Sequence, residues 1–314
     1  MNHSVASVSS RQLSVELPFS LAVTCGPVAW GRGRWPNVDW IDGTLVWVGW
    51  EDGNLVFRLV NQSHDDDSAL SIFGSASQDL DRPWANDVLG LGADLPSPID
   101  PIVDEIGARF PGLRPWANGS LYEGFIGAIV GQSISVASAA VTEARLAALF
   151  NDGIALSGRR FWPLPRLREL AAAAPALVRT SGVTWRRAEA LVKGAQAFLD
   201  GQLPTDDHAR ADPMVARTAL LNLSLVGPWT AESVLLWGLG LGNAYPPRDV
   251  ALLRAARLAY ERPDLDHPGL NALADTWAPH RAWAARWLWV ALLGAAPTTS
   301  GTDEIQVRVS SRDP

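Results

Sequence analysis

Cysteine is nearly absent from this 314-residue chain, histidine is sparse, and no apolar run approaches the length that crosses a bilayer. The lone Cys25 excludes an internal disulfide framework and any zinc or iron–sulfur site built from four thiolates of this chain. The five scattered histidines supply no substitute pattern. Without a spanning segment, and with no apolar core in the opening MNHSVASVSSRQ, the expectation is a cytoplasmic protein with no membrane partner. Positive charge is short as well. The net charge of −7 argues against a protein that coats nucleic acid, because nonspecific affinity comes from neutralised phosphates.

The charge is unevenly spread. Residues 39–104 hold thirteen Asp or Glu against two Arg, whereas residues 154–193 hold eight Arg or Lys against two Glu. The basic stretch is thus able to face a phosphate backbone, although basic runs on helices are commonly plain solvated faces. What the chain has in quantity is apolar surface, 47% of its residues, and tryptophan, fifteen in all. That supports two or three packed domains. Most of the indoles belong in a core, and a minority are available to stack on bases.

The periodicity divides the chain in two. TLVWVGW (44–50) and NLVFRLV (54–60) are β-rich runs separated by Glu51-Asp52-Gly53, a hairpin signal. From about residue 97 the apolar spacing is helical, and helices are expected at about 99–109, 120–130, 134–150, 166–174, 185–200, 213–222, 228–240, 249–260, 270–277 and 280–294. The polar ends, 1–12 and 297–314, are expected to be loose. The fold class is therefore α+β: an N-terminal antiparallel β-sheet domain followed by a mostly α-helical two-domain region.

Residues 212–249 carry the most information. Asp212 is placed to cap a helix that begins at Pro213, the helix ends near Asn222, and Leu223-Ser224-Leu225-Val226-Gly227 breaks it before Pro228 opens the next. Such a turn can offer backbone N–H groups and a helix N-terminus to a phosphate, a grip on DNA that ignores sequence. From spacing alone, an αα-hairpin that merely packs is the commoner reading. Downstream, Tyr245-Pro246-Pro247-Arg248-Asp249 leads into another helix, where an Asp taken alone is more often a cap than a catalyst.

The stretch from Leu223 to Ala231 resembles the L-P-G-(I/V)-G-x-W-T-A hairpin of the 3-methyladenine DNA glycosylases, a family of the helix-hairpin-helix superfamily. It matches at Leu223, Val226, Gly227, Trp229, Thr230 and Ala231. Ser224 replaces the family's Pro and Leu225 its first Gly. A non-Gly residue at positive φ costs on the order of 1 kcal/mol, so a reshaped hairpin with altered DNA affinity is expected. Residues 121–140, LYEGFIGAIVGQSISVASAA, resemble a second family segment and match it at Glu123, Ala128, Ile129, Gly131, Gln132, Ser135, Val136 and Ala137. In the family the residues after this Gly-Gln fill the gap left by a flipped base. Here Ser133 stands at the usual wedge position, so either Gln132 or Ile134 fills the gap or the wedge is weak. Residues 184–191 and the segment from Trp277 to Trp289 match two further blocks in the same order. In the second of these, Arg281 is expected to brace the neighbouring domain.

The resemblance implies a division into residues 1–95 (the sheet domain), 96–118 with 242–296 (a helical domain carrying the catalytic Asp), 119–241 (a helical domain with the hairpin) and a disordered tail, 297–314. It implies Asp249 as the catalytic carboxylate, Trp229 and Trp289 as base-pocket residues, and DNA contacts at Leu223, Leu225, Val226, Gly227, Thr230, Gln132, Ser133 and Ile134. The corresponding activity is hydrolysis of the N-glycosidic bond of a flipped, damaged base, an alkylated purine above all, in double-stranded DNA by a monomeric, nucleoid-associated enzyme. No redox or organic cofactor is implied; a monovalent cation at the hairpin is. Related bifunctional glycosylases carry a nucleophilic Lys where this chain has Trp229, and residues 229–260 contain no Lys, so no lyase activity is expected. The competing expectations are an oxidised-purine (8-oxoguanine) glycosylase of the same superfamily and a noncatalytic helix-hairpin-helix DNA-binding protein.

Overall fold

A computed structural model describes residues 8–64 and 67–297. Five strands, β1 (Ser9–Ser14), β2 (Val38–Ile41), β3 (Thr44–Glu51), β4 (Asn54–Asn61) and β5 (Ala69–Gly74), form an antiparallel sheet in the order β1-β5-β4-β3-β2. The expected hairpin is present: Glu51 pairs with Asn54, and Asp52 and Gly53 turn the chain with φ of 49° and 78°. The expectation of a loose N-terminus to residue 12 fails at β1. There Leu13 is paired to Leu70, and Arg11 reaches under the sheet to Asp81 (Nη2 to Oδ1, 2.9 Å). Asp81 also receives Arg58 Nε at 2.8 Å, so a buried ion cluster ties three elements together. The tail beyond residue 297 lies outside the described residues.

Both faces of this sheet are covered, which is why β3 is buried continuously from Thr44 to Gly49 and reads as an apolar run rather than an alternation. On one face lie α1 (Leu21–Thr24), α2 (Gly26–Trp30) and α3 (Asp81–Val88), packing Phe19, Leu21, Trp84 and Leu89 onto Leu45, Trp47 and Val60. The other face carries a second hairpin, β6 (Ile154–Leu156) and β7 (Arg159–Phe161), whose Leu156 and Phe161 meet Val46, Val48, Phe57 and Leu59.

That contact resolves the charge asymmetry. Arg159 pairs with Asp39 on β2, and Arg166 lies 4.3 Å over the Trp50 ring, so these two members of the basic stretch meet the acidic sheet. The permitted phosphate-facing role does not extend to them. One pair of opposite charges far apart in the sequence, Arg159 and Asp39, is here brought together in space.

The remainder is helical: α4 (Pro101–Ala108), α5 (Leu121–Gly131), α6 (Val136–Ala148), α7 (Leu167–Ala172), α8 (Pro175–Arg179), α9 (Trp185–Leu199), α10 (Asp206–Ala211), α11 (Pro213–Leu221), α12 (Pro228–Ser233), α13 (Val250–Ala259), α14 (His267–Thr276) and α15 (Arg281–Leu293). The expected helix at 228–240 is α12 followed by a π-helical turn, Val234–Gly238. A side chain on Gly124 of α5 would come within 2.6 Å of Gly238 Cα, so only Gly lets α5 lie this close to the π turn. No single helix among the described residues is long and apolar enough to cross a membrane. After α15 the chain returns to the sheet, where Ala296 N donates to Ala22 O (3.1 Å), Trp30 Nε1 to Gly294 O (2.8 Å) and Trp40 Nε1 to Pro297 O (2.7 Å).

Candidate functional site

The hairpin forms as the sequence pattern predicts. Asp212 caps α11 through Met214 and Val215 N–H, Pro213 opens it, and Pro228 opens α12. Ser224 at the tip is exposed, Leu223, Leu225 and Gly227 are half-buried, and Val226 is buried. Nothing lies within 4 Å of where a Cβ on Gly227 would sit, so the turn is open to solvent on that side.

Leu225 takes φ of 64°, the left-handed region where the related hairpin keeps Gly. The expected strain is therefore present, but the turn is held against it. Gln132 Nε2 donates to Leu225 O at 2.9 Å and to Thr230 Oγ1 at 3.0 Å, Val226 N donates to Leu223 O at 3.2 Å, and Leu223 and Leu225 pack against the helical core. A left-handed non-Gly residue costs roughly 1–2 kcal/mol, and two net hydrogen bonds from Gln132 at about 1 kcal/mol each are enough to offset it.

Gln132 is thus engaged as a bracket across the hairpin, and its amide is not free to fill a gap in a duplex. Arg187 donates in turn to the Gln132 carbonyl. The next residues, Ser133 (φ 56°) and Ile134, are exposed at the turn between α5 and α6, with Ile134 at 39% and Val136 at 40%. Of the two gap-filling candidates, Ile134 is the exposed one.

Asp249 sits at the start of α13. Its Oδ1 accepts Leu252 N–H at 2.8 Å, and its Oδ2 accepts the indole Nε1–H of Trp229 at 3.2 Å, so one carboxylate both caps the helix and joins it to α12. Trp229 is half-buried and presents its N–H to the carboxylate. Trp289 is buried at 4% exposure. Its ring contact is with Trp237 of the π turn, stacked at 5.3 Å and 30°, rather than with Trp229.

Glu232, three residues after Trp229, was not singled out in the sequence. It accepts from Arg217 of α11 and from Tyr245 N at 2.9 Å, locking the two hairpin helices to the segment that ends in Asp249. Tyr245 is buried, and its hydroxyl donates to Asn271 Oδ1 at 2.9 Å. The segment then turns at Arg248, exposed and left-handed at φ 64°, directly before the carboxylate. No sequence signal marks Glu232, because its partners lie on other elements. Arg281, expected to brace the neighbouring domain, instead bonds within its own stretch, to Asn243 Oδ1 at 2.9 Å and to Asp275.

Two further carboxyl groups stand on the helices beside the hairpin, half-buried Glu123 on α5 and buried Glu143 on α6. Burial raises Glu123 to about 7, with the Asp206 charge adding to the effect, and raises Glu143 to about 8, with Glu123 adding. They belong to the packing of α5 on α6 rather than to the surface that carries Asp249. No cluster of three or more His, Cys, Asp or Glu among the described residues is disposed to hold a metal ion.

No family model matches the chain. It is 24% identical over 193 residues to the DNA-3-methyladenine glycosylase of Bacillus subtilis, covering 60% of this chain and 63% of that protein. It is 29% identical over 194 residues to DNA-3-methyladenine glycosylase 2 of Escherichia coli, covering 62% and 66% respectively. The chain thus spans a little under two thirds of these curated relatives. Its structure superposes on the 3-methyladenine DNA-glycosylase of Archaeoglobus fulgidus with a TM-score of 0.73 and 20% identity, over 89% of this chain and 97% of that one. The chain is therefore a relative of the DNA-3-methyladenine glycosylases, built on the helix-hairpin-helix glycosylase fold.

Proposed function

We propose that this chain is a monofunctional DNA glycosylase that hydrolyses the N-glycosidic bond of a damaged base, an alkylated purine first of all, flipped out of double-stranded DNA. The observation that carries the reading is the Asp249 carboxylate, held between the α13 amide of Leu252 and the Trp229 indole beside an open hairpin. Breaking the base–sugar bond develops oxocarbenium-like positive charge on the deoxyribose, and a fixed anion beside it lowers the barrier. The same carboxylate has lone pairs left to orient or deprotonate the attacking water. Because Trp229 fixes its orientation, the carboxylate needs no rearrangement at the moment of reaction.

In this reading the DNA lies between the helical unit of residues 119–241 and that of 96–118 with 242–296, while the sheet unit, residues 1–95, contributes no catalytic group. The N–H groups around Leu225 and Gly227 take a phosphate, with Leu223, Val226 and Thr230 shaping the turn and Gln132 bracing it. Ile134, beside Ser133, enters the gap that the flipped base leaves, which offsets part of the few kcal/mol that flipping costs. Trp229 offers a ring edge to the base, and Trp289 backs the pocket through Trp237. The enzyme works as a monomer on DNA in the cytoplasm.

An oxidised-purine glycosylase is the second reading, and the hairpin residue bears on it. Trp229 cannot supply the amine that a lyase needs, and the only lysine in the chain, Lys193, lies on α9. A base-release assay on 3-methyladenine DNA and 8-oxoguanine DNA, with strand nicking scored separately, tests both. Release of the alkylated base without nicking is expected. Release of 8-oxoguanine with nicking would favour the second reading, and binding without release of either would reduce the chain to a DNA-binding protein.

A further inference from the structure

At the junction of α1, α2, α15 and the π turn lies a small cavity lined by Thr24, Trp30, Arg114, Trp237 and Arg286, closed by Val23, Leu113 and Val290. Its accessible volume of about 10 Å³ is room for one atom-sized guest. What distinguishes it is charge. Arg114 and Arg286 are only 6% and 3% exposed, and neither forms an ion pair with a carboxylate among the described residues.

The donors of these two arginines are under-used. Arg286 Nη2 donates to Leu236 O at 2.9 Å, but its Nε has no acceptor; Arg114 has none for Nε or Nη1. Thr24 cannot help, because its Oγ1 already accepts Arg114 N at 3.1 Å and its hydroxyl points to Gly112 O. The Trp237 ring, 4.8 Å from the Arg286 guanidinium carbon, softens one charge from its face. The acid that acts on Arg114 is Glu16, an exposed residue at a distance beyond pairing. Burial consequently presses Arg286 down to about 9 and lowers Arg114 as well.

A buried cation is ordinarily paired or bound to something of opposite sign, and two buried arginines lining one small, partly open space without an acid depart from that rule. A water molecule would satisfy one or two N–H groups and leave both charges uncompensated. We propose that this cavity binds a single inorganic monoanion of halide size between Arg114 and Arg286, and that the ion completes the junction of the sheet domain with the last helix. Chloride meets the size, the single negative charge and the demand for an acceptor without directional preference. The inference does not depend on the glycosylase reading.

The test uses the unaltered full chain. Thermal unfolding is followed at constant ionic strength while sodium gluconate, whose anion is too large to enter, is exchanged for sodium chloride or bromide. Binding to the folded state alone raises Tm by a few degrees over a roughly hundredfold range of halide, in proportion to the logarithm of its concentration once that exceeds Kd. Nonspecific salt effects do not imitate this, because at constant ionic strength they grow in proportion to halide concentration rather than with its logarithm. Crystals grown in bromide should show an anomalous peak between the two guanidinium groups. Arg286→Met should abolish the halide-dependent part of Tm whatever it does to the baseline. If that variant does not fold, the bromide peak in the unaltered protein decides. Superposable halide and gluconate curves with no peak in the cavity would overturn the proposal, as would a halide effect that survives intact in Arg286→Met.

Discussion

Replacing Asp249 by Asn changes one atom and separates two jobs that a single carboxylate performs. As a cap, Asp249 uses Oδ1 to accept Leu252 N–H at 2.8 Å; as a charge, it presents Oδ2 to the Trp229 indole at 3.2 Å. Asn caps a helix about as well as Asp, so the first job survives. The second cannot, because an amide that keeps its oxygen on Leu252 turns an N–H toward the indole N–H. An unmatched buried donor costs about 1–3 kcal/mol, and the half-buried Trp229 puts this case at the low end. A fall in Tm of a few degrees is expected. The loss in rate should be far larger. A carboxylate about 4 Å from a developing unit charge, at an effective dielectric of about 20, is worth roughly 4 kcal/mol, or about a thousandfold. Single-turnover release of 3-methyladenine at saturating protein, with DNA binding measured in parallel, reads this directly. Release at the wild-type rate with wild-type binding would show that Asp249 is only a cap, and the mechanism would have to be abandoned.

Gln132→Leu removes both hydrogen bonds that hold the left-handed Leu225, so DNA binding measured by fluorescence anisotropy should weaken about tenfold while single-turnover release at saturating protein changes little. Ile134→Ala should slow base extrusion, seen as slower 2-aminopurine fluorescence change opposite the lesion, without altering thermal stability, since the side chain is exposed. The buried carboxyls make stability depend on pH with a definite sign. Glu123 and Glu143 are raised to about 7 and about 8, so the folded state holds protons that the unfolded chain releases near 4.5. Their contribution is present in full below about 4.5 and is lost as pH rises from there to 7–8, where the folded groups ionise; Tm should fall across that interval and level off above it, and Glu143→Gln should flatten the fall. Sodium borohydride should trap no covalent enzyme–DNA adduct, as the Trp229 position carries no amine; a trapped adduct on gel electrophoresis would contradict the monofunctional assignment.

The parts of the fold that could be read from the sequence are those specified locally. The β3–β4 hairpin announced itself through Asp52-Gly53 between two β-rich runs, and the α11–α12 hairpin through Asp212-Pro213 and Gly227-Pro228. The strands β1, β2 and β5 gave little signal, because their burial comes from neighbours distant in sequence: Leu13 is buttressed by Leu70, not by its own periodicity. Short elements such as α8, α10 and the β6–β7 hairpin fell below the length at which a period is visible. At the site, Asp249 and Trp229 were legible by position, but the bond between them was not, nor was Glu232 as the link from Arg217 to Tyr245. Gln132 was read as a candidate wedge because its neighbour Ser133 is too small; that its amide would instead brace Leu225 depends on the approach of α5 to the hairpin, which Gly124 and Gly238 permit.

The return of residues 294–297 to the sheet domain has a consequence for how the molecule assembles. The Trp30 to Gly294 and Trp40 to Pro297 hydrogen bonds close loops of 264 and 257 residues. Contacts this remote in sequence are entropically late, since each must wait until the intervening chain has been shortened by its own folding. During synthesis the sheet emerges long before the strand of chain that covers Ala22 and the Trp30 edge, and it must persist with that flank bare until α15 has left the ribosome. Residues 294–297 then act as a clasp between the sheet and the helical body. On heating or in mild denaturant the same contacts are the ones to release first, so amide exchange at Ala296 should report the opening of the junction before either core begins to unfold.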